Sequence, residues 1–71
     1  MLERRTIESD VLGYRIERVQ AFDDRGDVSS CRYEVLAPGT QALLGCFAHR
    51  VEAERAVIAR ELEASPHPAA A

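Results

Sequence analysis

Two short clusters of turn-forming residues, Asp23-Asp24-Arg25-Gly26-Asp27 and Pro38-Gly39-Thr40, cut the middle of the chain into strand-sized pieces. The pieces they separate are GYRIERVQAF (13–22), VSSCRYEVLA (28–37) and QALLGCFA (41–48), each mixing β-branched or aromatic residues with polar ones. Gaps this short and this rich in Gly, Pro and Asp join neighbouring antiparallel strands. The expectation is therefore a three-stranded antiparallel β-meander.

The next piece has a different period. HRVEAERAVIARELEA, residues 49–64, consists almost wholly of good helix formers. Glu52 and Glu54 sit in its first turn, where the helix dipole favours negative charge. No Ser, Thr, Asp or Asn directly precedes it, so His49 is the expected N-cap. Ser65-Pro66 ends it, because proline disfavours helical geometry in the residue before it. The order β-β-β-α places the chain in the α+β class, with one C-terminal α-helix packed on one face of the sheet. Residues 11–64 form one domain on this reading, residues 65–71 a disordered tail, and residues 1–10 an N-terminal arm or short helix carrying Leu2 and Ile7.

Side-chain alternation assigns the faces. With Pro38-Gly39 at the hairpin tip, Ala37 faces Thr40 and Cys31 faces Cys46. Cys31, Tyr33, Val35, Leu44 and Cys46 then share the apolar face under the helix, and the thiols act as small hydrophobes in the core. In the first strand Tyr14 and Ile16 share one face while Val19 and Ala21 share the other, which predicts a β-bulge near Glu17-Arg18. The opposite hairpin face holds Leu36, Leu43 and Phe47, more apolar than a solvated surface needs. The helix also has two stripes by its 3.6-residue period: Val51, Ile58 and Leu62, and separately Ala53, Ala56, Val57 and Ala64. If the first stripe packs on the sheet, the second is spare. Leu36, Leu43, Phe47, Ala53, Ala56 and Val57 are thus the expected protein-contact residues.

Composition narrows the function. All nine basic residues are Arg, and the net charge is −3, so nonspecific attraction to nucleic acid or anionic membrane is weak. A chain of 71 residues buries only about 60% of its unfolded surface and has little volume for a water-excluding pocket. No G-x-S-x-G nucleophile setting and no phosphate-binding glycine loop occurs. Cys31, Cys46, His49 and His67 are the soft metal ligands, yet only Cys46-x₂-His49 has zinc-like spacing. Asp23, Asp24 and Asp27 lack EF-hand spacing. No metal, cofactor or enzymatic activity is expected. The Arg25-Gly26-Asp27 tripeptide matches an integrin-binding motif, a match expected to be chance where no secretion signal is read.

No apolar run approaches the ~20 residues of a membrane span, and MLERRTIESD has no apolar signal-peptide core. Cytoplasmic residence, with reduced thiols, is the expectation. The sequence reading is a small non-enzymatic protein–protein interaction module, self-associating as a homodimer or binding and inhibiting a larger protein. The alternative is a nucleic-acid-binding module. The β-β-β-α order is similar to the latter part of a double-stranded-RNA-binding domain, a resemblance that implies phosphate contacts from the helix start, here His49, Arg50 and Arg55. Glu52 and Glu54 interrupt that basic start, and Lys is absent.

Overall fold

A computed structural model describes residues 2–64. The chain forms four strands and one helix: β1 (Leu2–Val11), β2 (Tyr14–Phe22), β3 (Val28–Leu36), β4 (Leu43–Phe47) and α1 (Arg50–Ala64). The strands pair antiparallel in chain order, β1-β2-β3-β4. The class is α+β with a C-terminal helix, as the element order predicts, but the meander has four strands and not three. The expected tail, residues 65–71, lies outside the described residues.

The additional strand is the first ten residues, read above as an arm or short helix. β1 pairs with β2 along its whole length, from Leu2 opposite Phe22 to Val11 opposite Tyr14. A two-residue turn, Leu12-Gly13, connects them with φ of 52° and 88°. Two positive φ values make a type I′ turn, whose twist suits a hairpin but whose usual residues are Asn-Gly or Asp-Gly. Leucine in the first position hides the turn from sequence reading. β1 also has little apolar content to betray it, because it is an edge strand with most of its residues exposed.

The core lies between α1 and one half of the sheet. Tyr14, Ile16, Val35, Ala53 and Val57 form it, with Val11, Tyr33, Leu44 and Phe47 packed against it. β2 shows no bulge at Glu17-Arg18, in contrast to the expectation. The irregularities lie in its two partners: Glu8 is the extra residue of β1 between the Ile7–Glu17 and Ser9–Ile16 pairs, and Ser29 that of β3 between the Ala21–Ser30 and Phe22–Val28 pairs. β2 instead stays regular and buries both faces in turn. Tyr14 and Ile16 face the helix, while Val19 and Ala21 are buried on the opposite side.

The β3–β4 register differs from the expected one for a specific reason. Ala37 N–H donates to the Ala42 carbonyl at 2.8 Å, leaving a four-residue loop in which Gln41 takes φ 59°. Leu36 pairs with Leu43, but Val35 pairs with Gly45, so Leu44 is a bulge. One extra residue turns every later side chain to the other face. Cys46 therefore faces Glu34, not Cys31, and Phe47 faces Tyr33 on the helix side. Gly45 completes the arrangement: a Cβ there would lie 3.2 Å from the Phe47 ring, so the missing side chain leaves space for the aromatic.

Candidate interaction surface

The helix presents its small residues to the sheet. Ala53 and Val57 have no exposed surface, whereas Val51, Ile58 and Leu62 are 50%, 48% and 59% exposed. This reverses the expected assignment of the two stripes. Tyr14, Tyr33 and Phe47 occupy the sheet side of the interface with bulky rings, and small helix residues allow the axis to approach. His49 is the N-cap: its carbonyl accepts from Glu52 and Ala53 N–H, and Glu52 Oε1 accepts from His49 N–H at 3.2 Å. That is the glutamate half of a capping box. Near the other end the Tyr14 hydroxyl donates to Glu61 at 3.1 Å. Burial, reinforced by this carboxylate, raises the Tyr14 pKa above its ordinary value. The helix is thus held in rotation, and its outer stripe is held out.

By helical period, Glu54 and Glu61 border the outer stripe on one side and Glu52 and Glu63 on the other, with Arg55 in its middle. The stripe is therefore a short apolar ridge between two acidic margins.

The six expected contact residues do not form one surface. Leu43 is exposed and Leu36 half-buried on the sheet face away from the helix. Phe47 turns to the core through the Leu44 bulge, and Ala53 and Val57 are core residues themselves. Ala56 is half-buried. Of the residues expected to meet phosphates, His49 caps the helix, and Arg50 lies 3.7 Å from both Glu8 and Glu54. Arg55 is exposed, with no salt bridge among the described residues.

The outer sheet face carries a ladder of charges that sequence reading missed. Glu17 and Glu34 lie directly opposite one another on β2 and β3. Such a like-charged pair is destabilising unless bridged. Arg5 Nη1 bridges them, at 3.3 Å from Glu17 and 2.6 Å from Glu34. Arg32 Nε donates to the second Glu34 oxygen at 2.9 Å, and its Nη1 lies 3.5 Å from Glu3. Glu34 is 5% exposed, and its pKa is lowered, chiefly by the Arg5 hydrogen bond and also by Arg32. Val19 is flanked by Arg5 and Arg32 in register, and the aliphatic stems of such arginines cover apolar neighbours. A carboxylate held ionised in this way lacks the raised pKa that a general acid needs near neutrality.

The remaining constellations are structural. Cys31 and Cys46 are both exposed, contrary to the expectation of core thiols. They point to opposite faces, about 10 Å apart along β3 by the strand rise. Asp23 organises its own turn, its Oδ1 accepting from Arg25 and Asp27 N–H at 2.9 and 3.0 Å. No group of three or more His, Cys, Asp or Glu side chains among the described residues is arranged to hold a metal. No helix among them is long and apolar enough to cross a membrane. Comparison with protein-family models, curated proteins and solved structures finds no match.

Proposed function

We propose that this chain is a small non-enzymatic protein-binding module of the cytoplasm, which binds or inhibits a larger protein through the outer stripe of α1. The supporting observation is the exposure of Val51, Ile58 and Leu62 on a helix whose rotation is set by Ala53, Val57 and the Tyr14–Glu61 hydrogen bond. Three large aliphatic side chains in one row contribute little to this fold while half in water. Each gains about 1 kcal/mol when a partner completes its burial, half the value for a full transfer. Nucleic-acid binding has less support, since Arg50 is engaged by Glu8 and Glu54.

The test separates contact from core. Replacing Ile58 and Leu62 together by Ser is expected to leave the helical circular dichroism intact and to lower the melting temperature by about 4 °C or less, as for ordinary surface substitutions. Early, broad melting of that variant would mean the stripe is needed for folding and would end the proposal.

A further inference from the structure

We infer that the occupant of the α1 stripe is a basic amphipathic segment of another protein, an apolar ridge bordered by Lys or Arg, and not a second copy of this chain. The inference rests on the protein-binding reading and adds the partner's chemistry. Its basis is the distribution of charge around the stripe. Four glutamates, Glu52, Glu54, Glu61 and Glu63, border Val51, Ile58 and Leu62, and a single arginine, Arg55, interrupts the row.

A second copy fits this surface poorly. In a symmetric antiparallel pair of helices, the two-fold axis keeps each margin on its own side. Glu54 and Glu61 of one copy then lie along Glu61 and Glu54 of the other, with Arg50 the one cation of that margin and already 3.7 Å from both Glu8 and Glu54 of its own chain. The opposite margin brings Glu52 and Glu63 of one copy toward those of the other, and the two Arg55 side chains approach each other within the row. A parallel pair matches like with like at every height. Like charges brought together at an interface cost several kcal/mol and exclude wrong partners. The same margins attract a ridge flanked by cations, with Arg55 left to meet a carboxylate or a carbonyl. Arg50 and the Tyr14 hydroxyl hold Glu54 and Glu61 from the sheet side, so those carboxylates are oriented before any partner arrives.

Two synthetic probes decide the matter: an amphipathic helical peptide of Leu and Lys, and the same peptide with Glu in place of every Lys. Each is titrated into the full-length chain while backbone amide resonances are followed. The Leu/Lys peptide is expected to shift residues 51–63 saturably. Its affinity should fall at least tenfold in Ile58→Glu, fall several-fold in Glu63→Arg, and decrease with added salt. The Leu/Glu peptide should leave the spectrum unchanged. Equal binding of both peptides on the stripe would overturn the charge argument while leaving the protein-binding surface standing. Shifts confined to Asp23–Asp27 or to the outer sheet face would overturn the inference as nonspecific attraction. So would concentration-dependent broadening of residues 51–63 without peptide, which marks a second copy as the occupant. Binding of neither peptide also overturns it, and the melting test of the Ser variant then decides the wider reading alone.

Discussion

Two single residues act on stability in opposite directions, Leu12 through a strained backbone and Glu34 through its ion pairs. Leu12 holds φ 52° in an exposed turn, a conformation that costs an L-residue with a branched side chain about 1–2 kcal/mol. Asn relieves that strain, so Leu12→Asn is expected to stabilise the protein by about 0.5–1 kcal/mol, read as a higher urea midpoint; an unchanged or lower midpoint would show that Leu12 makes a compensating contact. Glu34 is the second case. Its folded pKa is lowered by Arg5 and Arg32, so its contribution is complete above the ordinary glutamate value of about 4.3 and is lost as pH falls through the lower folded value. Glu34→Gln removes one charged acceptor from two arginines and should cost about 1–2 kcal/mol at neutral pH. The gap between variant and native midpoints should then narrow as pH falls below the ordinary glutamate range and Glu34 protonates in the native protein. A gap that stays constant with pH would mean the loss is one of shape and not of charge.

At the scale of elements, α1 and β4 show how packing chooses among apolar residues. Taken as a whole, the Val51, Ile58 and Leu62 stripe is larger and more hydrophobic than the alanine-rich stripe of Ala53, Ala56 and Val57, which is why it is the natural choice for the core when only sequence is read. The sheet decides otherwise, because Tyr14, Tyr33 and Phe47 fill the layer and leave room only for small partners. Ala53→Leu therefore introduces excess volume and should cost about 1–3 kcal/mol. Ile58→Ala, on the same helix, should cost less than about 0.5 kcal/mol. Equal costs in a denaturant series would contradict the observed rotation of the helix. β4 illustrates the same dependence. Its segment is legible as a strand from its apolar content, but the Leu44 bulge that brings Phe47 to the core and sends Cys46 outward has no local signal.

The whole molecule is a ribbon covered along part of its length. β4 pairs only with Tyr33–Leu36, and α1 packs on β2, β3 and β4. Among the described residues, Leu2–Thr6 and Val28–Arg32 thus lie in a three-stranded region that neither α1 nor β4 covers. Amide hydrogens there should exchange faster than those of Ile16 and Val35, reflecting low local stability; uniform protection would mean that something else covers this end. The thiols report on the same architecture. Because Cys31 and Cys46 are exposed on opposite faces, both should react with a thiol reagent in the native protein, and mild oxidation should form no disulfide within one chain. A single slow-reacting thiol, or an oxidised monomer with an internal bridge, would restore the facing register expected from the hairpin tip.

What the sequence determined by itself is what depends on neighbours along the chain. Turn chemistry at Asp23–Asp27 and Pro38-Gly39 and the helical period of residues 50–64 act over a few residues, so the α+β class and three of the four strands were readable; the expected stop at Ser65-Pro66 lies outside the described residues. The expected N-cap, His49, follows from the same local logic. Tertiary structure alone decided the rest. β1 became a strand because β2 offered it hydrogen bonds and Arg5 found Glu17 and Glu34, contacts distant in sequence. The faces of β4 and the rotation of α1 followed from volume, since aromatic rings on the sheet admit Ala53 and Val57 and not Ile58 or Leu62. The candidate surface is what that packing leaves outside, and so it became visible only once the core was complete.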